Sequence, residues 1–451
     1  MVFKKKLVLF LFCSFFIAAC GQKAATVNVE TVVSQDVEIV QGNGEQAEDE
    51  EQKPDRKTEG INSVKVEKVP QENKEEESFA PKRPKVKGIF VTGAMAGTDN
   101  VENLIELVDR TELNAMVIDI KNDEGRVTYE METPLVKELG AAKRYIRDMD
   151  ALVEKCKEKN IYLIARIVAF KDPYLAGVKP EWCVHNKDGS LFTDKSGLAW
   201  LNPYQHEVWD YLMEISNEAL AVGFDEIQFD YVRFSTDKGM ENADFGSEWE
   251  ETDRRKIITE FVRYAAEQIH EAGGAISADV YGVVIDSKED QRIVGQDYRE
   301  LSRYLDYISP MIYPSHYGPY NYNIPVPDAE PYRLVLTAMQ SSRKVLAGIL
   351  PNTVSGNNLA ENAVSGNDME GYCTEEYSME EIAGLQPEEG IRVQVRPWLQ
   401  DFTATWVKGH ISYGADEIRD QIQGVYDAGY EEWILWNASN CYTEDGLLKE
   451  E

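Results

Sequence analysis

The sequence predicts an α/β fold, a closed (β/α)8 TIM barrel. Two patterns predict it. Eight short apolar runs alternate with amphipathic stretches, and each such stretch stands before the next run. Polar residues gather toward the ends of the runs, as expected where chemistry sits at C-terminal strand ends. An open doubly wound sheet is the weaker reading, because no glycine-rich phosphate loop follows the first run.

The strands are expected at Gly88–Val91, Ala115–Ile120, Ile161–Ile167, Glu226–Tyr231, Ala275–Val280, Tyr307–Tyr313, Arg392–Arg396 and Trp433–Trp436. Between them Tyr145, Met149, Leu152 and Cys156 recur at helical spacing. So do Ile258, Phe261, Ala265 and Ile269, and then Ile418, Ile422 and Val425. Gly223, Gly273 and Gly429 stand where such helices would stop. The stretch from about 348 to 390 is too long and polar for an ordinary connection, and reads as an insertion before the seventh strand.

The barrel accounts for residues 86–451. Residues 1–19 read as a lipoprotein signal peptide: Lys4, Lys5 and Lys6, then an apolar run from Leu7 to Ala19, too short to span a membrane comfortably. The run stops at Ala18-Ala19-Cys20-Gly21, which resembles a bacterial lipobox, with Cys20 as the lipidated residue. This implies a bacterial cell-membrane location, lipid-anchored on the extracellular face. Residues 20–85 are polar and rich in Glu, Lys, Gln and Pro, and read as a disordered tether.

The formal net charge is −33. So acidic a chain is a poor partner for nucleic acid. Of six cysteines, Cys156, Cys183, Cys373 and Cys441 fall in the barrel without metal-like spacing. A Cys183–Cys441 bridge is one pairing an oxidising location would allow. Five histidines, none paired at i, i+4, argue against a zinc hydrolase, and His316 after the sixth strand is a lone loop histidine. There is no Gly-x-Ser-x-Gly elbow. No metal or cofactor is expected.

Side chains alternate between the two faces of a strand. The polar face then carries Asp119 and Lys121, Arg166, Gln228 and Asp230, and Ser277, Asp279 and Tyr281. It continues with Ser309, Met311 and Tyr313, then Gln394, Arg396 and Trp398, and finally Trp436 or Asn437. Ile227, Phe229 and Tyr231 fall on the opposite face. Paired carboxylates with aromatic neighbours suit glycosidic bond cleavage, one acid protonating the leaving oxygen and one carboxylate attacking or activating water. Asp230 is the leading nucleophile or base and Asp279 the leading acid. Asp119, Lys121, Arg166, Gln228, Arg233, Tyr313, Arg396, Trp398, Trp436 and Asn437 are the expected substrate-binding set.

The chain resembles a family of bacterial proteins assigned by homology as glycoside hydrolases with (β/α)8 barrels. The resemblance covers nearly all of residues 86–445 and rests on Gly88-Ile89-Phe90-Val91, Val117-Ile118-Asp119-Ile120-Lys121 and the run from Phe224 to Phe234. It also rests on Ile308-Ser309-Pro310-Met311-Ile312-Tyr313-Pro314 and Val395-Arg396-Pro397-Trp398-Leu399-Gln400-Asp401-Phe402. It implies a polysaccharide or oligosaccharide substrate. A more distant resemblance is to family 18 chitinases. Asp225 and Asp230 match two of their spaced aspartates, Met311-Ile312-Tyr313 looks like their Met-x-Tyr, and Trp436 looks like their final-strand tryptophan. Gln228 replaces another aspartate and Val232 stands where their catalytic glutamate belongs, against substrate-assisted chemistry. Asp230 and Asp279 instead stand on the strands that carry nucleophile and proton donor in α-amylase-like enzymes. The alternative is a noncatalytic carbohydrate-binding barrel derived from a hydrolase.

Overall fold

The structure is a computed structural model describing residues 83–246, 253–349 and 377–449. The expected signal peptide, Cys20 and nearly all of the expected tether lie outside these residues, as does most of the expected insertion.

Eight parallel strands close into a barrel. They are β1 (Lys87–Val91), β2 (Ala115–Lys121), β3 (Tyr162–Val168), β4 (Glu226–Asp230), β5 (Ala275–Tyr281), β6 (Tyr307–Met311), β7 and β8 (Trp433–Trp436). β7 comes in two pieces, Gln394–Val395 and Trp398–Gln400, rather than one run ending at Arg396. Pro397 lacks an N–H and interrupts the ladder. Its carbonyl still accepts from Ile434 N, and Arg396 N donates to Ile308 O. β8 pairs with β1, Lys87 opposite Trp433, which closes the ring.

The principal crossover helices are α1 (Val101–Asp109), α2 (Met149–Glu158), α3 (His206–Val222), α4 (Arg254–Glu271), α5 (Lys288–Val294), α6 (Pro331–Leu346) and α7 (Ala415–Asp427). Asp148 caps α2 by accepting from Ala151 N at 3.0 Å. Gly223 ends α3 at φ +121°, a conformation costly for residues with a Cβ. Tyr145, expected on α2, precedes it, and its hydroxyl donates to Glu124.

Alternation along the strands sorts the apolar side chains into two layers. Ile89, Met116, Ile118, Leu163, Ile227, Phe229 and Ile276 face outward and pack with Leu152, Cys156, Phe261, Ile269 and Ile422 of the helices. Val86, Phe90, Ala115, Val117, Tyr162, Ile164, Trp398 and Ile434 fill the inside. The barrel is therefore a packed core, with room for chemistry at its ends. Cys156, Cys183 and Cys441 are free thiols, so Cys183 and Cys441 are not bridged.

Candidate active site

The interior polar residues fall into levels along the barrel axis. At the floor, near the strand starts, Arg396 is fully buried and donates to both oxygens of Glu226. Glu432 lies 3.8 Å from its Nη1, and Ser277 also donates to Glu226. Arg396, expected to bind substrate, is thus a floor residue at the end opposite the mouth. Glu226 lies one alternation step before Gln228 on the same face as Gln228 and Asp230, a position that the period-two pattern also gives. Above the floor Gln228 Nε2 donates to Ser309 Oγ at 3.1 Å. Gln228 is fully buried, which makes it an interior residue rather than a mouth contact.

The next level holds the carboxylates. Asp119 on β2 lies opposite Arg166 on β3, and Arg166 Nη1 donates to Asp119 Oδ1 at 2.5 Å. The same guanidinium donates through Nε, at 3.0 Å, and Nη2 to Asp230 Oδ2 at the end of β4. Asp230 Oδ1 accepts from Tyr231 N at 2.6 Å. β4 and β5 pair in register through Phe229 and Ala278, so the next residues, Asp230 and Asp279, are neighbours across adjacent strands. Trp398 Nε1 donates to Asp279 Oδ1 at 2.6 Å.

These carboxyls sit in different fields. Burial, reinforced by the adjacent Asp230 charge, pushes Asp279 well above the usual carboxylate range, against the pull of Trp398 and Arg166. Burial also raises Asp119 to about 6, against Arg166. Burial opposes the charge on Arg166, but Asp230, Asp119 and Asp123 outweigh it and hold the guanidinium charged. Burial and a neighbouring charge thus push Asp279 to hold its proton while Asp230 faces the Arg166 guanidinium, and surroundings that divide two carboxyls in this way can support acid and base roles in one site.

Aromatic rings surround this level. Trp436 packs on Phe90 at 6.4 Å, nearly parallel, and on Tyr313 at 5.7 Å. Phe402 meets Trp436 edge-on at 5.4 Å and stacks with Trp406, which is 66% exposed. This aromatic series runs from the interior to solvent, and Phe402 and Trp406 were not among the expected residues. Asn437 shapes the loop after β8 instead, donating to Asp401 O and Cys441 O. His316 is kept neutral: burial lowers its pKa to about 4.

Two further expectations are corrected. Lys121 was placed beside Asp119 on the polar face. The β2–β3 register slips between Asp119 and Lys121, and Lys121 is fully buried against Asp172 Oδ2 at 2.8 Å and Val168 O at 2.8 Å. Tyr231 was placed with Ile227 and Phe229. The strand ends at Asp230, and Tyr231 adopts φ +50°, rare for a bulky side chain. Its ring instead meets Trp200 at 5.8 Å, and Arg233 lies 5.0 Å from the ring.

The family model described as "putative glycosyl hydrolase domain" matches residues 88–355 and 355–442. The chain belongs to that family. No curated protein matches the chain. Among solved structures it is 41% identical to a hypothetical protein from Ruminiclostridium thermocellum, over 43% of this chain and 97% of that one, with a TM-score of 0.40. It shares the fold of the PgaB (BpsB) glycoside hydrolase domain from Bordetella bronchiseptica, at 12% identity over 78% of this chain and 94% of that one, with a TM-score of 0.51. It is also similar to an α-galactosidase from Thermus thermophilus in complex with stachyose, at 14% identity over 81% of this chain and 64% of that one, with a TM-score of 0.44.

Proposed function

We propose that the chain is a glycoside hydrolase that cleaves a polysaccharide, with Asp279 as general acid and Asp230 as nucleophile or base. The observation that carries this reading is the pair itself. Two carboxyls stand side by side on adjacent strands, Asp230 at the end of β4 and Asp279 two residues before the end of β5, one driven to keep its proton by burial and by its neighbour, the other held by Arg166. Protonation of the leaving oxygen requires the first, and attack on carbon or water the second. Trp436, Phe402 and Trp406 supply faces for stacking sugar rings. As part of the same proposal, Cys20 carries a lipid anchor that holds the barrel outside a bacterial membrane, with residues 20–85 as its tether.

A noncatalytic saccharide-binding barrel is the second reading. Val232 favours it, being fully buried where family 18 chitinases carry their glutamate. The two readings separate on Asp230→Asn, assayed on bacterial-wall and plant polysaccharides with product detection. A hydrolase predicts wild-type turnover that falls at least ~10²-fold in the variant while saccharide binding persists. Loss of the buried Arg166 partner lowers stability by up to ~3–5 kcal/mol, so the melting temperature is read on the same sample. A wild type that binds saccharide without turning over any of these polysaccharides selects the binding barrel.

A further inference from the structure

Five basic side chains are buried among the described residues: Lys121, Arg166, Lys171, Arg233 and Arg396. Three have carboxylates: Asp172 for Lys121, Asp119 and Asp230 for Arg166, and Glu226 for Arg396. Among the described residues no carboxylate lies within 4.0 Å of Lys171 or Arg233, although each is more than nine-tenths buried. Arg233 donates one hydrogen bond, from Nη1 to Phe234 O at 2.9 Å. Its guanidinium lies 4.4 Å from the Tyr281 ring and 5.0 Å from the rings of both Trp200 and Tyr231. Lys171 Nζ lies 4.6 Å from the same Tyr231 ring and 3.4 Å from its hydroxyl.

Ring faces offset part of the cost of burying a cation, but they leave its charge without a counter-ion. In a chain with 80 acidic and 47 basic residues, a carboxylate partner was abundantly available. The position is equally informative. Lys171 follows β3 by three residues, Arg233 follows Asp230 by three, and Tyr281 ends β5 two residues beyond Asp279. The two cations therefore stand just beyond the C-terminal ends of β3 and β4, the end of the barrel at which Asp230 lies. Tyr231, the ring they share, is held in a left-handed conformation, a strain typical of functional positions.

We propose that Lys171 and Arg233 form a subsite for an anionic group on the saccharide, a uronate carboxylate or a sugar phosphate. The inference rests on the hydrolase reading and names its substrate class. A guanidinium fork matches either oxyanion, and an ammonium adds a point charge.

The test measures binding by calorimetry to the full chain carrying Asp279→Asn, so that hydrolysis does not intrude. The probes are glucuronate, galacturonate and mannuronate tetrasaccharides with their carboxyl-reduced twins, and a mannose 6-phosphate tetrasaccharide with its dephosphorylated twin. At least one charged probe is expected to bind ~10-fold or more tightly than its neutral twin at low salt. That advantage is expected to fall below ~3-fold on adding Arg233→Gln or, separately, Lys171→Gln, in variants that melt cooperatively. Should Arg233→Gln fail to fold, Lys171→Gln reads the same loss. The charged probe that is preferred distinguishes carboxylate from phosphate. Equal affinity for every twin overturns the subsite, as does a preference that survives the substitutions. Charge-dependent binding by a wild type without turnover would sink the hydrolase reading and leave the subsite standing. Hydrolysis of neutral saccharides alone would do the reverse.

Discussion

Asp230 and Asp279 are the same residue type in adjacent strands, yet their surroundings divide them. The Asp230 charge helps to keep Asp279 protonated, so Asp230→Asn should lower the Asp279 pKa, which burial still holds above the ordinary range. Carboxyl carbon NMR with labelled aspartate reads this directly, and an unmoved Asp279 titration would uncouple the pair. The stability consequence has a definite sign. A carboxyl raised on folding contributes stability below its unfolded pKa of ~3.9 that is lost as pH rises through the folded value. For Asp119 that window closes at about 6. Much of this network was legible, because period-two alternation identifies interior positions. Alternation does not give the height of a residue along the barrel axis, so Arg396 read as a mouth residue although it pairs with Glu226 at the floor. Nor does it reveal a bulge, which turned Lys121 toward Asp172, or the end of a strand, which freed Tyr231 from its expected face.

At the scale of elements, seven strands were legible from their apolar runs and β7 only in its first piece, since Trp398–Gln400 lies beyond the run expected for it, and glycines marked the ends of helices such as α3. The break in β7 follows from Pro397, whose effect depends on partners far away in sequence. Loop packing was not legible at all. Gly282 illustrates why: a Cβ there would lie 2.7 Å from Met311 O and 2.1 Å from the Tyr317 hydroxyl, groups supplied by β6 and the loop after it. Gly282→Ala should therefore push β5 and β6 apart at the mouth and cost about 1–3 kcal/mol. Denaturant unfolding measures this, and an unchanged midpoint would mean that the close approach is not rigid.

For the whole molecule, the proposed lipid anchor is tested apart from the barrel. If Cys20 carries the anchor, Cys20→Ala should release the protein into the medium or leave it as unprocessed precursor. Fractionation with immunoblotting reads the outcome, and membrane retention of a processed variant would refute the anchor. The central claim concerns the barrel and is tested most directly on Asp279→Asn. Because Asp279 keeps its proton, an asparagine nearly reproduces its shape and charge, and its amide oxygen can still accept from Trp398. The measurement is turnover of a polysaccharide and of an aryl glycoside whose leaving group needs no protonation, alongside the melting temperature. The account predicts an unchanged melt, a polysaccharide rate lowered at least ~10²-fold, and a much smaller loss on the aryl glycoside. A folded variant that cleaves polysaccharide at the wild-type rate would contradict it.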